Sequence, residues 1–532
     1  MTHPFTGRWH GQTSWALLLA VPLAQGVPVP TVEEPPNFSP LPSHESSVEA
    51  APLEQTGRSQ VAISLPELIE LVVTGNRDLR DQQLERLVQR QELREAEAAF
   101  DPRLTPITGL RVRQSFADDI DSGSGLASGI RGDDVELSDR TVLSQGAGLL
   151  GEVTTRQGTE IGLTVDVLGD TPLGLRFTQP LLQGAGTAVN EAPVNIARLV
   201  ESRNFFTLQQ TVIDTVTATV TQYTRLIEAQ RSVAIQAQAL TRRQRRLAIL
   251  AALVDAGRRA EVDLVDARRS IADAERDLLL EQTQLEAANT ALLDLVGTDR
   301  AVLFVASEDT IADLFTGAQV RVETFEVEAL VAIAYRLRPD YLQIQLDQDI
   351  AELNQLLAED DLRWELNVEG DASVGDFSES TVGLIARRTF DDPSLDTALI
   401  RSQVEILQQE NQLAQQQTAI RNEITNQLNT VRANLARVEA ARRATANARL
   451  QLEVAQELFN RGRTDDIFQI ITQEENLVQA EDQQLGAEIE FLNSVVDLDQ
   501  AVGLTLNTWS DAVDFLPVLL PPDAVEAFES RP

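Results

Sequence analysis

Few side chains in this sequence could do covalent or acid–base chemistry. The 532-residue chain has three histidines, His3, His10 and His44, no cysteine and no lysine, so all 44 of its basic residues are arginine. A Ser-His-Asp triad, a histidine-rich metal site, a Schiff-base lysine and a Walker-type phosphate loop each need a residue type missing beyond His44. The lack of cysteine also excludes disulfides, a thiolate nucleophile, Cys-ligated zinc and a lipidated N-terminal cysteine. Carboxylates are plentiful, at 82 Asp and Glu. Scattered along helices, they read as solvated faces far more readily than as a glycosidase-like pair. The chain is therefore not expected to be an enzyme or to carry a cofactor, and any energy input must come from a partner.

A formal net charge of −38 argues against nucleic acid, because phosphate binding needs clustered cations to release counterions. It fits an acidic surface or an acidic, water-filled interior. Composition is 43% hydrophobic but only 5% aromatic, and Gly and Pro are sparse within the long middle segments, which favours long helices over compact layers.

Along the chain, residues 1–26 carry Arg8 and His10 before the apolar "WALLLAVPLA", Trp15 to Ala24, and resemble a secretory signal peptide, although Pro22 sits where a small residue would favour cleavage. Residues 27–60, with Pro28, Pro30, Pro35, Pro36, Pro40, Pro42 and Pro52, read as a flexible linker. No later apolar run reaches the roughly 18 residues of a membrane-spanning helix, so any crossing of a membrane must use strands. Strand-like alternation places Ile161, Leu163, Val165 and Val167 opposite Glu160, Thr164 and Asp166, and continues through Leu173, Leu175 and Phe177. It recurs at Trp364, Leu366, Val368, Ala372 and Val374, and more faintly at Leu110, Val112 and Phe116 and at Val382, Leu384 and Ala386. A half-buried soluble sheet would show the same pattern. Ala117 to Gln145, rich in Asp, Ser and Gly, reads as a long exposed loop.

The helices are longer than a bilayer is thick. From Ala185 to a turn at Gly257 the chain could run helically for roughly 100 Å, and Asp392 to a turn at Gly462 is similar. Sevenfold spacing (Val212, Thr219, Leu226; Ile406, Leu413, Ile420; Ile424, Val431, Val438) and abundant alanine predict coiled-coil packing.

The chain also repeats itself. "LPELIELVVTGNRDLRDQQLE" from Leu65 aligns with "VEALVAIAYRLRPDYLQIQLD" from Val327, and "LVDAGRRAEVDLVDA" from Leu253 with "LFNRGRTDDIFQIIT" from Leu458, through to Gly297 and Gly503. This divides the chain into a first structural repeat at 61–299, an inter-repeat segment at 300–326, a second repeat at 327–506 and a C-terminal tail at 507–532. Each repeat reads as helix, two strands and a long helical hairpin. Four strands per chain cannot close a barrel, whereas two copies supply eight and three supply twelve.

This layout resembles the TolC-like outer-membrane factor (outer membrane efflux protein) family, through "NRDL" and "RPDY", "FDPRL" at Phe100 to Leu104, "FTQPLLQGAG" at Phe177 to Gly186, and the two Gly turns. The resemblance implies a fold mainly of helices with a small β part. A homotrimer would share a twelve-stranded β-barrel in outer-membrane lipid, standing on a coiled-coil α-barrel tunnel of twelve helices that extends into the periplasm. It implies a passive exit duct of a tripartite efflux or type I secretion system, with a periplasmic adaptor and an inner-membrane pump as partners. Gln179, Pro180, Gly184 and Gly186 would form the seam where barrel strand becomes tunnel helix. Gly257, Arg258, Arg259, Arg461 and Gly462 would be adaptor-docking tips.

Members of that family carry aspartates six and nine residues after the second-repeat glycine. Here those positions hold Phe468 and Ile471, while the first-repeat equivalents, Asp263 and Asp266, are acidic. Asp263, Asp266, Phe468, Ile471 and Arg463 are the gate candidates. Solvated surface explains the charges equally well, and coiled-coil core explains Phe468 and Ile471. Arginines 258, 259, 461 and 463 could bridge to Asp263, Asp465 or Asp466 between neighbouring helices. A soluble periplasmic coiled-coil scaffold or adaptor without a barrel is the alternative reading.

Overall fold

The computed structural model describes residues 59–115, 140–166, 173–298, 302–306, 315–319, 325–374, 379–390, 392–461 and 467–519. The leader and most of the linker expected before residue 60 lie outside these. Ser59 and Gln60, assigned above to the linker, already belong to the first strand, β1 (Ser59–Ile63).

The chain is built twice on one plan. In the first half, α1 (Leu65–Gly75) and α2 (Arg77–Glu97) lead into strands, and then α3 (Thr187–Asp255) turns back as α4 (Glu261–Val296). In the second half, α5 (Val327–Leu337) and α6 (Pro339–Asp361) lead into strands, followed by α7 (Pro393–Asn460) and α8 (Ile467–Val502). At 69 and 68 residues, α3 and α7 each span roughly 100 Å. Between the halves, β6 (Val302–Ala306) pairs in parallel with β1. Two short helices, α9 (Thr505–Trp509) and α10 (Leu516–Leu519), close the described chain.

One sheet of six strands carries the order β2 (Arg103–Ser115), β3 (Arg140–Thr154), β4 (Glu160–Asp166), β5 (Leu173–Pro180), β7 (Glu365–Val374) and β8 (Glu379–Arg387), antiparallel throughout. The expectation of two strands per half holds for the second half only. The first half supplies four, because β2 and β3 form an additional long hairpin. Residues 140–145, expected in a loop, begin β3, and the rest of that loop, 117–139, lies outside the described residues.

The register sorts the sheet into two faces, as period-two side-chain alternation requires. Val153, Ile161, Phe177, Gly370 and Val382 form one cross-strand row, and Leu149, Val165, Leu173 and Val374 another on the same face. The opposite face carries Glu152, Gly162, Arg176, Asp371 and Thr381, and Thr154, Glu160, Thr178, Glu369 and Gly383. Arg176 and Asp371 pair there at 3.1 Å.

The hydrophobic core follows the sevenfold pattern. Val212, Thr219 and Leu226 of α3 and Ile420, Ile424, Val431 and Val438 of α7 are all buried. They pack with α1, α5 and α8 around Tyr223, whose hydroxyl donates to the Ile63 carbonyl at 3.0 Å. On one side of this core α2, α3, α6 and α7 lie next to one another in that order, and on the other α4, α3, α8 and α7 do. Among the described residues no helix is long and apolar enough to cross a membrane.

Candidate functional site: the strand-to-helix seam and the helical tips

The seam is built from three chain segments. Strand β5 ends at Pro180, opposite Asn367, where a residue without an amide hydrogen is tolerated. The chain then follows β7 for three residues more, with Leu181 N donating to Leu366 O at 2.7 Å and Gln183 N to Trp364 O at 3.1 Å. Gly184 (φ 74°) and Gly186 (φ 99°) take the left-handed conformations that turn it into α3. Asn190, one turn into the helix, donates to the carbonyls of both Gly184 and Gly186, at 2.7 and 2.8 Å. The Gly184 amide donates to Asp360 Oδ2 at 2.6 Å, and Asp360, only 3% exposed, also pairs with Arg363 at 3.2 Å.

The turn between β3 and β4 closes over this corner. Gly158 (φ 89°) lies so close that a Cβ there would sit 2.3 Å from the Gly184 carbonyl oxygen. Thr159 Oγ1 donates to Gln179 Oε1 at 2.5 Å, and Gln157 O accepts from Gly186 N at 3.2 Å. The structure thus brings Gln179, Pro180, Gly184 and Gly186 together and adds Gly158, Thr159, Asn190 and Asp360, which the sequence reading missed. The acidic pair at the end of α6 and the glycine of "RQGT" were the available signals.

At the first tip α3 ends in a glycine cap. Gly257 (φ 69°) donates to Val254 O and Arg258 N to Leu253 O, both at 2.8 Å. Asp263, in the first turn of α4, pairs with Arg259 of the preceding loop at 3.7 Å, and Arg259 also lies over the ring of Phe459, 5.6 Å from its centroid. Since Phe459 belongs to α7, this contact joins the two hairpins. Asp266 is half-buried and Arg258 exposed. At the second tip Arg461 is exposed and pairs with Glu457 on its own helix. Gly462, Arg463, Asp465 and Asp466 lie outside the described residues. Ile470, not Ile471, enters the hairpin core with Ala448, Leu452, Ala455, Leu477 and Ala480. Ile471 is half-buried and Phe468 is 56% exposed, because the helical period turns both off the core face.

Behind the tips lies a layer of charge between the hairpins that the sequence reading passed over as solvated surface. Arg242 and Arg246 of the "RRQRR" run at 242–246 of α3 face α8, while Arg245 is exposed. Arg246 and Glu474 meet at 2.7 Å with side chains only 9% and 6% exposed. Arg449 of α7 joins Glu481 at 3.0 Å, Arg242 approaches it at 3.9 Å, and Arg243 donates to Ser270 O at 2.9 Å. Burial disfavours charge on both members of the central pair, pulling Arg246 below and pushing Glu474 above its ordinary pKa. Asp482 is pushed up to about 6, by burial first and then by Glu281 and Glu481. Such a layer can hold two hairpins together, but its charges are costly to keep dry.

Comparison with known proteins agrees with this architecture. Residues 143–298 match the family described as outer membrane efflux protein. Among solved structures, the chain is similar to the CmeC outer membrane channel of Campylobacter jejuni, with a TM-score of 0.59 and 12% identity over 90% of this chain and 98% of that one. The outer membrane protein VceC of Vibrio cholerae gives 0.58 and 14%, covering 82% and 96%. The open state of the MtrE outer membrane channel of Neisseria gonorrhoeae gives 0.55 and 13%, covering 83% and 89%. No protein of curated function matches the sequence. The matched segment is similar to the outer membrane efflux protein family, and the duplicated fold is that of the TolC-like outer-membrane channels.

Proposed function

We propose that the protein is an outer-membrane channel-tunnel, the passive exit duct of a tripartite efflux or type I secretion system. One observation carries the reading: a sheet with one apolar and one polar face turns at Pro180–Gly186 directly into a 69-residue helix. An apolar outer face with a polar lumen is what lipid demands of strands that cross it. A helix of that length reaches roughly 100 Å beyond the sheet, far enough to meet a partner across the periplasm.

In this reading three copies close the barrel and tunnel, and a periplasmic adaptor docks at the tips around Gly257, Arg258, Arg259, Arg461 and Gly462. An inner-membrane pump supplies energy and selects cargo. Asp263 and Asp266 line an acidic gate, with Phe468, Ile471 and Arg463 at the second tip, and the net charge of −38 biases the lumen toward cations.

The test is the mass and planar-bilayer conductance of detergent-extracted protein, beside an Asp263→Ala, Asp266→Ala variant. A trimer with small, cation-selective conductance that changes in the variant is expected. A detergent-independent species without conductance would refute the barrel.

A further inference from the structure

The six-stranded sheet ends in two bare edges, and the helices beneath it end the same way. On one margin β2 exposes its unpaired backbone edge, and the helix just before it, α2, exposes Leu84, Leu87 and Val88. On the other margin β8 is the bare edge, and the helix that follows, α7, exposes Ile400, Val404 and Leu407. Each margin therefore continues from sheet edge to apolar helix face. No other described strand can cover either edge, since β1 and β6 pair only with each other.

We infer that β2 of one copy pairs antiparallel with β8 of the next, so that each chain gives six strands to the shared barrel and three chains make eighteen. This rests on the channel reading above and deepens it by naming the seam between copies and the barrel's width. Three observations carry it. First, β2 and β8 run in opposite directions, because the strands between them alternate without exception, so joining them continues the ladder with its alternation intact. Second, an open edge is not tolerated in hydrocarbon, where no water satisfies its amides and carbonyls, and β2, with 13 residues, is too long an edge to leave bare.

Third, the arcs match. The sheet stands over four neighbouring helices, α2, α3, α6 and α7, whose axes at about 8–10 Å spacing cover about 32–40 Å. Six strands about 4.8 Å apart and tilted about 40° cover about 37 Å, against about 25 Å for four strands. An eighteen-stranded barrel is about half again as wide as a twelve-stranded one, and strand numbers of that order leave an aqueous channel.

The chain has no cysteine, so introduced pairs report cleanly. Leu104→Cys on β2 is combined in turn with Ser380→Cys, Val382→Cys and Leu384→Cys on β8, all on one face by register. A control series combines Leu163→Cys on β4 with the same three positions. Within one copy these pairs lie about 24 Å and about 14 Å apart at about 4.8 Å per strand, too far for a disulfide. The expected result is a covalent trimer from at least one β2–β8 pair on a non-reducing gel, and none from β4–β8. Crosslinking from β4–β8 would mean that the β2–β3 hairpin stands outside a twelve-stranded barrel, and would overturn the inference. So would a trimer by mass that crosslinks in neither series. A monomer by mass would bring down the channel reading itself, and this inference with it.

Discussion

Where α4 ends against the start of α2, and α8 against the start of α6, each buried helix end is met by a well-placed donor. Roughly 35 Å further along α3 from Tyr223, the layer around Arg246 buries charges that are only partly met. At the first equatorial joint Asn76 accepts from Leu79 N at 3.1 Å, capping α2, and donates to Leu295 O of α4 at 2.9 Å. At the second, Arg338 occupies the aligned position, donating to Ala501 O of α8 at 2.8 Å and to both carboxylate oxygens of Asp340 at 3.0 and 2.7 Å. Glycines with positive φ, Gly297 and Gly503, end the incoming helices at both joints. Near the tips, by contrast, Arg246 Nη1, Arg242 Nε and Asp482 Oδ1 are buried without a hydrogen-bond partner among the described residues. The difference teaches that the duplicated helices are anchored at their middle, where satisfied polar groups fix register. Toward the end that the channel reading requires to open, they are held by an expensive ion pair.

The largest effect should come from that pair. Arg246→Ala strands Glu474 in a dry site and should cost about 3–5 kcal/mol, read as a fall in the thermal midpoint of the detergent-solubilised protein. Replacing both partners, Arg246→Met with Glu474→Met, should recover all of this or exceed wild type, because desolvation is then avoided. If the double variant is as unstable as the single, the ion pair is a net stabiliser and the contrast with the equator collapses.

At the equator the same logic should fail. Arg338→Ala should cost about 2–3 kcal/mol, the scale of charge-assisted hydrogen bonds, and Arg338→Met should rescue little. The Ala501 carbonyl would still lack its donor, and Asp340 would keep only Gln416 Nε2 and the Tyr341 amide. Full rescue by Met would show that the joint is held by packing.

Asn76→Ala should cost between about 1 and 2 kcal/mol through loss of the N-cap and of the bond to Leu295. Asn76→Asp separates the two functions, since a carboxylate still caps α2 but cannot donate to Leu295 O. An intermediate thermal midpoint is expected, and one equal to wild type would remove the inter-helix bond from the account. The adjoining Gly75 makes this joint tighter than its mate, since a Cβ there would lie 2.7 Å from Val296 O, while Leu337 is tolerated at the aligned position of the second.

These joints also mark how far the sequence could be read. Asn76-Arg77-Asp78 and Arg338-Pro339-Asp340 aligned because the duplicated backbone needs a helix start there, yet the alignment could not show that both first residues reach across to a neighbouring helix end. Helix lengths and Gly turns were legible because a 3.6-residue period sustained over tens of residues, broken by glycine, has few other meanings. The β2–β3 hairpin was not, because glycines at 146, 148 and 151 interrupt alternation in β3. The arginine run at 242–246 was misread because the charges on a helix look alike in sequence whether they face water or another hairpin. The seam was half legible: its glycines and Pro180 are local signals, but Asp360 arrives from the second repeat, 176 positions from Gly184.

The smallest effect should be the most diagnostic of the layer near the tips. Asp482, facing Gln236 at 3.3 Å and the carboxylates of Glu281 and Glu481, has its pKa raised to about 6 from the ordinary 3.8. A carboxyl whose folded pKa lies above its unfolded value binds its proton more tightly when folded. Its stabilising contribution is therefore complete below about pH 4 and lost as pH rises through about 6. Asp482→Asn should leave the thermal midpoint unchanged at pH 4 and raise it at pH 7.5, by up to about 1 kcal/mol after allowance for solvent screening. The difference between variant and wild type isolates this group from the many other carboxylates that titrate over the same range. A difference that does not vary between pH 4 and 7.5 would show that Asp482 stays ionised at little cost, and that water reaches this layer as freely as it reaches the outer helix faces.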